Sequence, residues 1–434
     1  MMARTQLPIA LSGAWWRPRR VARRVSKTPP LFVLCFALLI LSEYVTVEIL
    51  GFKFIGWAWV MILVFSLMRI ALHLKDVRFP VLLWAPWVGY VVLNGARGYE
   101  LAWQSTAQIV CPVVAGVAAT TYRLEAKHLQ RLIRWTFVVF YGAVVIVAAF
   151  SYFGLISFGP GRDAIRSLSV FPDGSYSALF FQSMFIANYM LNRSRKENLV
   201  YYLLAVSVPV LSATRGPLIA TVALLVFAFI PIRLGYRLSL LVLAAVVALA
   251  AFYTPGVQRK MFFSGHGGLS DLRYDNANLN TDGRRELWNI LLSGIDDALW
   301  IGHGGNADRT WMLSHGAATY LPHNDWLRVA FNYGIVGLLI YALTMAGQIL
   351  VLRPLIRSPD PDLRALAAAA ASCFVAYAFI MCTDNVMIYC QEFTVPMMIL
   401  VGASYSIGTR RQRTRSIDPA KLSDRRLVPA NRFA

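Results

Sequence analysis

At 434 residues the chain is long enough for two or three soluble domains, yet 57% of it is hydrophobic and only 15% is charged, against roughly 45–50% and about 25% in soluble proteins. That balance excludes a soluble multidomain enzyme and marks an integral membrane protein. The 42 Lys/Arg and 22 Asp/Glu leave a net charge of +20, but a nucleic-acid-binding face needs a soluble basic surface. Few stretches here lack a long apolar run nearby, so no nucleic acid is expected as a partner.

In chain order, residues 1–30 form a basic amino terminus (Arg17, Arg19, Arg20, Arg23, Arg24, Lys27) ahead of the first apolar run, Leu31 to Leu50. No small-residue cleavage site follows that run, so it reads as a retained span rather than a signal peptide. A bilayer crossing needs about 20 mostly apolar residues in a helix that satisfies its own backbone. Further segments of this kind run from Phe54 to Leu74, Phe79 to Gly95, Thr106 to Tyr122, Trp135 to Phe153, Ser175 to Leu191, Asn198 to Ala213, Gly216 to Ile232 and Arg237 to Thr254. Three more run from Val329 to Leu352, Leu363 to Thr383 and Phe393 to Ile407. The expected fold is therefore all-α with about twelve transmembrane helices. Helices 1–9 occupy 31–254, a long loop 255–322, helices 10–12 residues 323–408, and a basic tail 409–434.

Cytoplasmic loops hold the Lys/Arg excess. With the amino terminus inside, 30 of the 42 Lys/Arg fall on the inner side, while the outer side carries 12 of them and 15 of the 22 Asp/Glu, giving +23 inside and −3 outside. A single missed helix would spoil this separation. Both termini are accordingly expected in the cytoplasm and the 255–322 loop outside, the inner tail (Arg410, Arg411, Arg413, Arg415) meeting anionic lipid. Of the five cysteines, Cys35, Cys111, Cys373 and Cys382 fall in spans, where Cys is a small apolar residue; a Cys382 to Cys390 bridge stays open. Asp360-Pro-Asp362, the one Asp-x-Asp, falls on the inner side and reads as a solvated turn.

Function is expected on the outer side. The 68-residue segment Pro255 to Pro322 is far longer than the other connections, and loops of that length are functional or disordered. It holds three tryptophans including Trp288, and four of the six histidines (His266, His303, His315, His323) lie in it or directly after it. Arg284 to Leu292 has helical spacing, with Leu287, Ile290 and Leu291 on one side and Asp282 placed to cap it. Arg215, in the tiny connection Ser212 to Pro217, sits at the membrane boundary between two apolar helices. It either snorkels to lipid phosphate or offers a fork of donors to a bound phosphate. Pro322-His323-Asn324-Asp325 opens the tenth span as a helix start. His323 is expected in the first turn, where the dipole favours a neutral ring that serves as base or hydrogen-bond partner, or as a plain cap.

These residues resemble the O-antigen ligase and bacterial polysaccharide polymerase superfamily of integral-membrane glycosyltransferases. The resemblance rests on Ser212-Ala-Thr-Arg215-Gly216, Thr281-Asp-Gly-Arg284 with Trp288, the turn Ile301-Gly-His-Gly-Gly305, and Pro322-His323-Asn324-Asp-Trp-Leu327 running into Tyr333-Gly-Ile-Val-Gly337. It implies a GT-C-like helical fold with one long periplasmic loop over the site. The implied donor is a glycan on undecaprenyl pyrophosphate at the bacterial inner membrane, with no metal and no cofactor. It implies that Arg215 and Arg284 hold the pyrophosphate, Arg166 joining them through the weaker pattern Arg166 to Asp173. His323 is then the essential histidine, and Asn324, Asp325 and Trp288 support the acceptor or the loop. The acceptor stays open between lipid A-core, which makes a ligase, and a growing polysaccharide of O-antigen or exopolysaccharide, which makes a polymerase. Membrane lipids and other polysaccharide export or assembly proteins are the remaining expected partners. The rival from another class is a transporter or flippase of the lipid-linked glycan. Transporters show matching halves with broken helices, and the long loop has no counterpart in the first half of the chain.

Overall fold

A computed structural model describes residues 48–49, 52–122, 138, 142, 174–191, 200, 202–204, 206, 215–227, 234–253, 255–273, 276–281, 283–317, 319–388, 390 and 393–416. These residues are overwhelmingly helical. Helices α1 (Phe54–Leu72), α2 (Val81–Ala96), α3 (Ala102–Ala119), α4 (Gly174–Leu191), α5 (Arg215–Phe227) and α6 (Leu234–Phe252) precede the long connection. Helices α7 (Pro255–Met261), α8 (Arg284–Ile295) and α9 (Ala307–Ser314) lie within it, and α10 (Asp325–Ile356), α11 (Pro361–Ile380) and α12 (Thr394–Ser416) follow. Among the described residues α10 and α11 are each long and apolar enough to cross a membrane, and shorter apolar helices cover Gly56–Leu72, Val81–Ala96 and Thr394–Ser406. The expected first span to residue 47, most of the fifth and seventh spans, Arg166, Asp282 and the tail beyond 416 lie outside the described residues.

The first span does not run helical to residue 50. Glu48–Ile49 (β1) instead pairs antiparallel with Phe52–Lys53 (β2), with Ile49 opposite Phe52.

Helix α11 is the axis of the packing. Its run Ala367 to Ala371 is fully buried, as are Cys373, Phe374 and Ile380, because small side chains let neighbouring helices approach closely where lipid supplies no hydrophobic drive. Helices α4, α5, α10 and α12 surround it. Asp360, expected in a solvated turn, is a buried helix cap: its Oδ1 accepts from the Asp362 N–H at 3.1 Å. Several polar side chains that enter the bundle pair with one another. Trp84 Nε1 donates to Gln348 Oε1 at 2.9 Å, Gln348 Nε2 to the Tyr405 hydroxyl at 3.0 Å, and the Tyr341 hydroxyl to that of Tyr377 at 3.0 Å. Cys382 and Cys390 are both free thiols, so the bridge is not formed; Cys390 is buried and Cys382 is exposed.

The tenth span is not one straight helix starting at Val329. It begins at Asp325, capped by Asn324, and breaks at Gly334, whose φ of 67° and ψ of −175° are non-helical. The broken ladder is completed by the loop. His303 N–H donates to the Phe331 carbonyl at 3.1 Å and Gly304 N–H to that of Asn332 at 2.9 Å. In return, Ile335 N–H donates to the Leu299 carbonyl at 2.9 Å and Val336 N–H to that of Trp300 at 3.1 Å. Buried backbone groups need partners, so Leu299 to Gly304 is a structural splint for the kink.

Candidate active site

The head of α10 is where the motif residues meet. Asn324 adopts extended backbone (φ −161°, ψ 99°) and its side chain accepts from the Leu327 N–H at 3.0 Å, satisfying one of the free donors of a helix start. His323 therefore stands one residue outside the cap, not in the first turn, and the dipole argument for its ring does not apply in the form expected. Its φ is 51°, a left-handed conformation uncommon outside glycine and found at constrained sites.

Two residues beyond α11 hold His323 there. Its N–H donates to Asn385 Oδ1 at 3.0 Å, and its Nδ1 lies 2.9 Å from Asp384 Oδ1 and 3.2 Å from Asn385 Nδ2. An ionised carboxylate can only accept, so the shorter contact puts the ring proton on Nδ1 and leaves the lone pair on Nε2. The imidazole is about one-third exposed while Asp384 is 16% exposed, so the ring is anchored from below and presented above. Asp325 is fully buried and ties the same turn to α10: its N–H donates to the Met381 carbonyl at 2.8 Å, and its Oδ2 accepts from the Met387 N–H at 2.7 Å. Trp326 Nε1 adds a bond to the Ala378 carbonyl at 3.0 Å.

The long loop is clamped onto this head. Trp288 Nε1 donates to the Pro322 carbonyl at 2.7 Å, immediately before His323. Helix α8 buries Leu287 and Leu291 with Met312 and Phe331, and Ile290 packs against them, the apolar side expected of it. Its N-cap position is Gly283, at φ 73°, while the expected cap Asp282 lies outside the described residues. Arg284 and Trp288 are four residues apart and share a face of α8. The Arg284 Nε is buried and makes no hydrogen bond among the described residues, an expensive state for a cationic donor and one that an anion would relieve.

Arg215 is the first residue of α5. The next residue, Gly216, is buried so closely that a Cβ there would stand 2.5 Å from Thr383 Oγ1, one residue before Asp384. Glycine permits that approach, and it brings the head of α5 against the turn that anchors His323. The structure thus gathers His323, Asn324, Asp325 and Trp288 around one helix start, with Arg284 on the flanking helix and the backbone of Arg215 at the adjoining turn.

Sequence reasoning missed Asp384 and Asn385. The available signal was polar residues directly after the eleventh span, on the same expected side as His323. It also missed a buried triad: Arg328 Nε bonds Asp308 Oδ2 at 2.9 Å, Asn332 Nδ2 bonds Asp308 Oδ1 at 2.7 Å, and Asp308 N–H bonds Asn332 Oδ1 at 2.9 Å. Among the described residues no three His, Cys, Asp or Glu side chains are grouped as metal ligands.

Residues 200–342 match the family model described as O-antigen ligase. The match runs from before α5 through the long loop into α10 and so contains Arg215, Arg284, Trp288, His323, Asn324 and Asp325, while Arg166 and Asp384 fall outside it. No curated protein matches the chain.

Proposed function

We propose that this chain, which carries an O-antigen ligase segment, is a bacterial inner-membrane glycosyltransferase of surface-polysaccharide biosynthesis. It moves a glycan from undecaprenyl pyrophosphate to lipid A-core on the periplasmic side, with both termini in the cytoplasm. The observation that carries the proposal is the His323–Asp384 pair at 2.9 Å, whose histidine stands at the head of α10 inside the matched segment and whose aspartate lies beyond it. A ring fixed through Nδ1 presents Nε2 to an acceptor hydroxyl. As that oxygen attacks the anomeric carbon, Nε2 takes its proton and the bond from that carbon to the pyrophosphate oxygen breaks. Such general-base assistance contributes about 10²- to 10⁴-fold.

Charge that builds on the departing pyrophosphate needs fixed donors in a water-poor site. The unpartnered Arg284 Nε and the position of Arg215 support assigning these two guanidiniums to it, with Arg166 as a third. Guanidiniums supply this electrostatic work without a metal, and attack opposite the leaving group inverts the anomeric centre. Asn324, Asp325 and Trp288 fix the head of α10 rather than touch substrate.

A deletion strain complemented with His323→Ala is the test. Transfer is expected to fall at least about a hundredfold with the protein still in the membrane, leaving uncapped core and retained lipid-linked polymer. Wild-type polysaccharide from that strain would sink the proposal. Core capped by a single repeat in the deletion strain would instead point to the polymerase, which uses the same donor chemistry.

A further inference from the structure

Beside the His323 segment lies a cavity of about 120 Å³ to which the transfer chemistry assigns no role. Leu321, two residues before His323, forms part of its wall, together with Gln104 and Gln108 of α3, Arg309 and Tyr320 of the loop, and Arg328 of α10. The volume suits one sugar ring, since a single water needs roughly 10–15 Å³ on this measure.

Its charge is unbalanced. The carboxylate there, Asp308, has both oxygens committed, to Arg328 Nε and to Asn332 Nδ2. Arg328 carries five N–H donors, and only the one on Nε is bonded to Asp308. Arg309 lies with its guanidinium carbon 4.5 Å from the centroid of the Tyr320 ring, a stacking contact that uses the cation's face and leaves its donor edge free. Neither terminal guanidinium has an acceptor among the described residues. Among the residues that line this half-enclosed, polar cavity two cations stand against one carboxylate; Asp325, which also acts electrostatically on Arg328, is fully buried outside the lining, so the uncompensated charge is that of Arg309.

Resting on the glycan-transfer reading, we propose that this cavity is a subsite for a carboxylate-bearing sugar residue of the glycan. The guanidinium forks match a planar carboxylate in shape, and the amides of Gln104 and Gln108 suit the ring hydroxyls. One excess positive charge balances one carboxylate, whereas a phosphate brings about −1.5 to −2.

The test uses the full-length protein in lipid nanodiscs and two oligosaccharides of equal length, one containing glucuronate and the other its carboxyl-reduced neutral counterpart. The acidic one is expected to bind about ten- to a hundredfold more tightly, as for hydrogen bonds to a charged group. Arg309→Gln should bring that ratio close to one without changing the neutral ligand's affinity, and Arg309→Lys should leave it intermediate. Equal binding of the two saccharides to the unaltered protein, or a ratio untouched in Arg309→Gln, overturns the subsite. Inorganic phosphate bound in place of any saccharide preference overturns it too, in favour of a phosphoryl group. His323→Ala should keep the saccharide preference, so loss of the transfer proposal in cells and loss of the subsite in nanodiscs are separate outcomes.

Discussion

In the proposed transfer reaction His323 acts through a neighbour 61 positions away in the chain. Asp384 holds the Nδ1 proton at 2.9 Å, and without that acceptor the ring can take the other tautomer, which points a proton rather than a lone pair at the acceptor hydroxyl. Asp384→Asn should therefore lower kcat by about 10²- to 10⁴-fold while leaving KM for the lipid-linked donor nearly unchanged, because the interaction lost is one with the proton-accepting base and not with the bound glycan. A purified transfer assay reads both constants. An effect on KM alone would make Asp384 a binding or folding residue and remove it from the base. Asn385 is a weaker handle on the same ring: it is fully buried and fixes the backbone of His323, so its replacement moves the histidine instead of changing its tautomer.

At the scale of elements, the break in α10 is the feature that a hydropathy pattern hides. The sequence predicts one span from Val329 to Leu352 running through 334, and only the dihedrals of Gly334 divide it. A φ of 67° with a ψ of −175° is a region open essentially to glycine and costs other residues about 1–3 kcal/mol. An added Cβ would also drive into the backbone of Trp300. Gly334→Ala should cost about 3 kcal/mol or more and sharply lower the thermal midpoint in detergent. Gly89→Ala, inside α2 with open space around its Cα, should be neutral or stabilising by about 0.5–1 kcal/mol. Equal stability of the two variants would mean that the kink is not required. The same contrast explains what could be read from sequence. Periodicity and apolar length located the long apolar helices that are described, α1 starting at Phe54 and α4 ending at Leu191 as expected, because burial in lipid or protein imposes a length; the short loop helices α7 and α9 carry no such signal. The apolar run starts only at Val329 because hydropathy discounts the polar first turn Asp325 to Arg328, which the helix-start signal at Pro322 to Asp325 does mark and whose charges are buried by partners from other elements, Asp308 for Arg328 and Met387 for Asp325. His323 and Trp288 were visible as residue types in a motif, whereas Asp384 became part of the site only through the packing of α11 against α10.

The whole molecule joins these scales through the membrane boundary. Helix α10 has 32 residues, about 48 Å at 1.5 Å per residue, longer than a hydrocarbon core of about 30 Å. Gly334 divides it into a head that packs with α8 and α9 and a shaft from Ile335 to Ile356 of about 33 Å, which matches the bilayer. On the topology expected from the sequence, the loop helices, the Trp288–Pro322 bond and the His323–Asp384 pair share one side of the membrane, the side without the positive excess. That arrangement is open to a labelling experiment. In a Cys382→Ser, Cys35→Ser background, which removes the thiol that is exposed among the described residues and the one outside them, a cysteine at the exposed Ser270 should react with a membrane-impermeant maleimide in cells whose outer membrane alone is permeabilised. A cysteine at Arg411 should react only after the inner membrane is opened. Two positions are needed because either one alone could be shielded by packing. The reverse pattern would put His323 on the cytoplasmic face, where a periplasmic donor glycan never reaches it, and the transfer proposal would fall with the topology.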